Sequence, residues 1–264
     1  MEKIKMNVIE CIPKKGIFVA DLTKPTYNYL NRIMKAQTLL MLTALFILPS
    51  CNDDEEALTS YRNCPDDHHP HLIDLGLPSG TKWACCNVGA STPESYGSYY
   101  AWGETEEKAE FTAGNYSYCS AEDTNGDGKC DRYDNVSEFQ QLGENIAGTN
   151  YDVAHIKWGA TWTLPSLEQI EELVMTCSRE WTTQNGVSGY RFQGPNQSTI
   201  FLPAASYYVD DLEPHQGFSG YYWSSNPYTE RDAHYLNFNS QGCDWTHYHL
   251  SYRYFGYTVR PVSR

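Results

Sequence analysis

The sequence predicts an α+β domain built of small mixed or antiparallel sheets, one or two short helices and long irregular loops. Three observations carry this. From His71 onward, short apolar runs alternate with clusters of Gly, Pro, Asn and Ser, the pattern of brief strands and turns. One segment, about 166–177, shows clear helical spacing. Aromatic residues are abundant, with 21 Tyr and 7 Trp, which suits strands and recognition surfaces alike.

The residues before this domain read as a leader and a tether. Arg32 and Lys35 flank Met34, an apolar run spans Thr38 to Leu48, and Leu48-Pro49-Ser50-Cys51 follows. A basic end, a short apolar core and a small residue before a cut make a secretory signal peptide over 34–50. The run is far shorter than the ~20 residues a spanning helix needs. The Cys at the cut resembles a bacterial lipobox, which implies cleavage before Cys51 and acyl chains, palmitate among them, on that residue. Asn52-Asp53-Asp54-Glu55-Glu56 behind it resembles the export signal of surface lipoproteins. The expected location is therefore the outer membrane, exposed at the cell surface. Residues 1–33 lie upstream of a normal signal peptide and read as a non-native extension, with Met34 as the start. Residues 51–70 read as an acidic, His/Pro-rich tether. The His68-His69-Pro70-His71 stretch has metal-binding residue types, but a linker that binds nothing is the preferred reading.

Charge narrows the partners. Of 19 Lys+Arg, seven precede Cys51, and of 33 Asp+Glu, three do, so the mature chain carries a formal charge of −18. Such a surface repels nucleic acid phosphates and favours solubility or cation binding. Nucleic acid is thus not an expected partner, and membrane attachment is expected through lipid alone.

The domain itself is read in order over 71–264. Leu72–Leu77, the Pro78-Ser79-Gly80 turn and Thr81–Val88 predict a hairpin. Within its second strand, Cys85 and Cys86 are expected on opposite faces. Glu94–Trp102 is expected to hold a short helix. Strands are expected at Tyr190–Gln193, Thr199–Leu202, Tyr221–Ser225, Ala233–Asn239 and Tyr254–Val262. In the fourth of these, Tyr235, Asn237 and Asn239 alternate with His234, Leu236 and Phe238. The helix at 166–177 opens with Pro165 and Ser166, and Gln169 completes a capping box. Ile170, Leu173, Val174 and Cys177 then fall on one face.

Two stretches carry residue types suited to ligands. The first is a calcium-loop-like insertion within 119–134. Asp123, Asn125, Asp127, Lys129, Asp131 and Asp134 occupy positions 1, 3, 5, 7, 9 and 12, and Gly128 occupies position 6. A hard cation needs oxygens converging from a tight loop, and Lys129 would offer its carbonyl. A structural Ca²⁺ is expected there. Cys119, before this loop, and Cys130, within it, are the expected disulfide, since export permits such bonds. The second stretch is 243–254, rich in aromatic, His and hydroxyl residues. Asp244, Trp245, His247, Tyr248, His249 and Tyr252 are the expected ligand-binding residues, joined by Tyr228 and His234 from the preceding loop and strand. Rings stack on sugars or fill peptide pockets, and His and Asp add directional hydrogen bonds.

Several segments also resemble a known family. They are Asp74-Leu75-Gly76-Leu77-Pro78-Ser79-Gly80-Thr81-Lys82-Trp83-Ala84, Tyr100-Ala101-Trp102-Gly103-Glu104, Trp162-Thr163-Leu164-Pro165-Ser166, Ile200-Phe201-Leu202-Pro203-Ala204-Ala205, Tyr222-Trp223-Ser224-Ser225 and Gly256-Tyr257-Thr258-Val259-Arg260-Pro261-Val262. In this order, over about 71–262, they resemble the Fibrobacter succinogenes major paralogous domain. That resemblance implies a C-type-lectin-like fold, shared with the formylglycine-generating enzyme, and a variable ligand face. Similar domains are displayed by diversity-generating retroelements, and the residue types of 243–254 are largely those reached by changing adenines in Asn codons. The calcium-dependent sugar motif of true C-type lectins is not matched, since Glu213-Pro214 is followed by His215. The expected function is an adhesin-type surface lipoprotein that binds a glycan or protein. The alternatives are an assembly subunit of a surface complex, or an oxidase like the formylglycine-generating enzyme. The chain shows no GxSxG, HExxH, P-loop or Rossmann motif, and the cysteine pair of that oxidase has no counterpart near Cys243, so the expectation is not an enzyme.

Overall fold

Pro78-Ser79-Gly80 reverses the chain after Leu77, and Gly80 adopts φ 75° where an L side chain would be strained. Strands β1 (Leu72–Asp74) and β2 (Lys82–Ala84) therefore pair antiparallel, Ile73 opposite Trp83. The computed structural model describes residues 68–210, 212–244 and 251–263. The segments read from sequence as an extension (1–33), a signal peptide (34–50) and, to residue 67, a tether lie outside them, as does Cys51. So do Trp245, His247, Tyr248 and His249.

The architecture is α+β, with small antiparallel sheets and few helices. After β2 come β3 (Ser120–Glu122) and β4 (Asn135–Ser137), which form a two-stranded ribbon around the acidic loop. Two helices follow, α1 (Val153–Trp158) and α2 (Leu167–Thr176). Then come β5 (Ser178–Gln184), β6 (Val187–Gln193) and β7 (Thr199–Pro203), paired in that order. Strands β8 (Ser219–Pro227), β9 (Ala233–Asn239) and β10 (Gly242–Asp244) form a third meander. The last strand, β11 (Val262–Ser263), returns to pair with β2, so the first sheet has the order β1-β2-β11. No helix among the described residues is long and apolar enough to cross a membrane.

The capping box of α2 is present as expected. Ser166 Oγ accepts from Gln169 N, and Gln169 Oε1 accepts from Ser166 N at 2.8 Å. Ile170, Leu173 and Val174 are buried against Leu75, Trp83, Phe192 and Phe238. Helix α1 was not expected from sequence. Asp152 makes it by accepting from Ala154 N and His155 N with one oxygen and from Gly148 N and Leu164 N with the other. That buried carboxylate caps a helix and closes a loop at once.

Buried aromatics join the segments. Trp102 Nε1 donates to Ser224 O at 2.8 Å, and Trp223 Nε1 donates to Tyr100 O at 2.7 Å. Each indole thus bonds the segment that carries the other, and both lie in one core cluster with Tyr100, Tyr235 and Tyr257. Arg260 is fully buried and donates to Asn87 Oδ1, Ala84 O, Cys85 O and Phe201 O. Arg253, equally buried, donates to Tyr116 Oη, Gln140 O and Glu230 O and lies over the Trp102 ring.

Four expectations are corrected. Glu94–Trp102 forms no helix: Gly97 takes φ 75° and a side chain there would meet Val88 O, while Tyr100 bridges to Tyr257. Tyr254–Val262 is not one strand, because Tyr257 pairs with Tyr100, Thr258 with Tyr222 and Val262 with Trp83. Strand β2 ends at Ala84, so Cys85 and Cys86 do not alternate: a bend brings their sulfurs together. The Cys119–Cys130 bridge is not formed; both are free thiols. Both contact the 113–114 turn, where the Cys119 thiol donates to Ala113 O at 3.5 Å and Gly114 N donates to Cys130 O at 2.9 Å.

Candidate ligand-binding trough

Strand alternation divides the third meander into two faces. Tyr222, Leu236 and Phe238 point into the core beneath α2, and Cys243, opposite Phe238, packs on the same side. Tyr221, Tyr235, Asn237, Asn239 and Asp244 point the other way. With Tyr207, Phe255 and Tyr257 from the neighbouring loops, and Gln241 and Gly242 at the β9–β10 turn, they line an open trough of about 620 Å³.

The floor is aromatic. The Tyr221 ring stacks with Tyr235 at 6.0 Å and meets Tyr257 at 5.1 Å. Tyr207 lies edge-on to Tyr221 at 4.7 Å and parallel to Phe255 at 6.0 Å. Tyr257 is itself stacked on Trp223 at 4.1 Å, and Ser251 Oγ donates to its hydroxyl at 2.9 Å. These rings are therefore fixed before any ligand arrives. Burial raises the Tyr235 hydroxyl to about 12, with smaller contributions from Tyr221 and Asp244. It also raises Tyr221, and the neighbouring Tyr207 adds to that shift. At neutral pH these phenols stay protonated and both donate and accept hydrogen bonds. Asn237, Asn239 and Gln241 add amides along one wall, and Asp244 adds a carboxylate at one end. Such a surface offers flat apolar faces ringed by polar groups of both kinds.

The expected ligand residues distribute as follows. Asp244 lines the trough. Tyr252 stacks on Tyr254 at 5.1 Å and lies edge-on to Phe255, a lining residue, at 5.4 Å. Arg231 covers its ring at 5.0 Å. Tyr228 and His234 pair with each other at 5.1 Å and are not among the described lining residues. Burial lowers the His234 imidazole, and Glu168 partly opposes the shift. Trp245, His247, Tyr248 and His249 follow directly on Asp244 in the chain. The structure adds Tyr207, Tyr221, Tyr235, Asn237, Asn239, Gln241, Phe255 and Tyr257. The signal for three of these was present in the alternation of Tyr235, Asn237 and Asn239. No local pattern ties Tyr207 or Tyr257 to that face.

The acidic loop is wound by its own carboxylates. Asp123 accepts from Gly126 N at 2.6 Å and Gly128 N at 2.8 Å. Asn125 accepts from Asp127 N, Asp127 from Lys129 N and Asp131 from Tyr133 N. Asp134 accepts from Thr124 N and Asp131 N, bonds that hold its carboxyl below the usual range. Gly126 and Gly128 take φ 77° and 86°, the sharp turns such a loop needs. A second cavity, about 460 Å³, adjoins this loop between Lys129–Tyr133 and Asp210, where Arg132 pairs with Asp210 at 3.5 Å.

Compared with family models, with curated proteins and with solved structures, the chain matches none.

Proposed function

We propose that this protein is a surface lipoprotein, anchored through Cys51, whose lectin-like domain binds a glycan without chemical turnover. The observation that supports it best is the trough: fixed Tyr and Phe rings beside Asn237, Asn239, Gln241 and Asp244. A pyranose ring presents an apolar face that stacks on such rings and hydroxyls that pair with amides and carboxylate. The motif resemblance to the Fibrobacter succinogenes major paralogous domain, and through it to C-type lectins, favours the same reading. The 245–250 segment, with Trp245, His247, Tyr248 and His249, would extend the site from Asp244. Tyr252 would support it through Phe255, and Tyr228 and His234 would form a separate edge.

Within this proposal the 123–134 loop holds a structural Ca²⁺. Asp123, Asn125, Asp127, Asp131 and Asp134 supply side-chain oxygens, and Lys129 supplies its carbonyl. The amide bonds to these side chains curve the loop on itself.

The test is a glycan array probed with the mature chain carrying Cys51→Ser, alongside Asn237→Ala and Tyr221→Ala. Specific binding that falls at least about fivefold in both variants is expected, since truncating an anchoring ring or amide costs more than about 1 kcal/mol. Binding unchanged in both would place the ligand face elsewhere. No glycan bound, together with a stable protein partner recovered from intact cells, would favour the assembly role.

A further inference from the structure

Far from the acidic loop in sequence, a second donor set gathers where the described chain begins. Among the described residues, His69, Cys85 and Cys86 place their donor atoms within 4.8 Å of one another. His69 Nδ1 lies 3.2 Å from Cys85 Sγ, and His71 Nδ1 lies 3.8 Å from the same sulfur. The two imidazoles meet edge-on at 5.2 Å. His71 N also donates to Cys85 Sγ at 3.1 Å, which fixes the backbone beside the cluster. Both cysteines are buried and both histidines are half-buried, so the set opens to solvent on its imidazole side.

The bend after Ala84 makes this possible. In a continued strand the two sulfurs would diverge. Arg260 holds the bend by donating to Ala84 O at 3.1 Å and Cys85 O at 3.0 Å. A buried guanidinium therefore stands behind the bend that brings the two sulfurs together.

We propose that His69, His71, Cys85 and Cys86 form a tetrahedral Zn²⁺ site that clamps the start of the domain to the end of β2. Two thiolates and two neutral imidazoles balance the ion's charge and match its preference for sulfur and nitrogen. Bonds of about 2.0 Å to nitrogen and 2.3 Å to sulfur put such donors about 3.5 Å apart. The observed 3.2 and 3.8 Å bracket that spacing. On binding, the two thiol protons pass to solvent and no electron is transferred. The clamp is independent of the glycan reading, since it shares no residue with the trough.

The test uses the full chain with Cys51→Ser, titrated with Co²⁺ as a spectroscopic stand-in and then with Zn²⁺. Saturation at one ion per chain is expected, with the intense visible bands of tetrahedral cobalt and thiolate charge-transfer bands, all bleached by Zn²⁺. Cys86→Ser should remove the charge-transfer intensity. Because that position is buried, His69→Ala and His71→Ala serve as second variants, with folding checked by circular dichroism. Each should weaken binding at least about tenfold, no less than loss of an outer-shell partner costs. Octahedral cobalt spectra, affinity unchanged in the histidine variants, or a Cys85–Cys86 disulfide in metal-free protein purified without reductant would each overturn the proposal.

Discussion

Arg260 shows how much one side chain organises here. Its guanidinium reaches carbonyls at Ala84, Cys85 and Phe201 and the amide of Asn87, so three distant stretches of chain meet at one planar group. Lysine offers a point charge on a flexible stem and cannot span those acceptors. Arg260→Lys is therefore expected to lower unfolding stability by about 2–4 kcal/mol through stranded buried carbonyls, read as a lower urea midpoint at unchanged slope. At this scale the sequence was legible in part. Arg260 stood within a quoted motif, but nothing local tells that its side chain turns inward. Cys85 and Cys86 mislead in the same way: adjacency suggests opposite faces until the bend after Ala84 is seen. Asp152, too, is silent in sequence, because the four amides it satisfies come from both sides of it in the chain.

Elements whose signals are local were readable, and those that depend on distant partners were not. Helix α2 announces itself through Ser166, Gln169 and its apolar face, and β9 through partial alternation. Ser166→Ala is expected to cost about 1 kcal/mol, the usual worth of a cap, measured by thermal or urea unfolding. Strand β5 escaped notice because its residues are mostly exposed or half-exposed and show no clear inward face. What holds it is the turn at Asn185 and Gly186, with φ 48° and 82°, the Asn-Gly signature of a tight hairpin. The segment 254–262 failed as a strand because successive residues bridge to separate partners. The acidic loop takes at Gly126 and Gly128 the tight turns that its sequence pattern calls for. Asp127→Ala should lower the melting temperature in Ca²⁺ but not in chelator, since a ligand stabilises only the state that binds it. Identical curves for wild type in both conditions would reject a structural Ca²⁺ there.

For the whole molecule, the segments that carried the family resemblance are mainly those that build its interior. Trp102 and Trp223 each bond a carbonyl of the segment that carries the other, and Thr163 and Val262 bridge the chain that follows α1 to β11. The α+β class was therefore legible, because composition and turn spacing report it directly. The trough was legible only in fragments, because it is assembled from strands and loops far apart in the chain. If the lipobox reading holds, Cys51→Ala releases the protein from membranes into the soluble fraction; continued detergent dependence would reject it. In the first sheet β1 and β11 lie on either side of β2, with Leu72 opposite Ala84 and Ser263 opposite Lys82, so the start and finish of the domain stand one strand apart. Joining Ser263 to His71 through a short linker across β2, and reopening the backbone between Asn185 and Gly186, would leave every sheet in its present order. The same geometry lets the unit be spliced into a surface loop of another protein, because neighbouring ends ask no detour of the host chain.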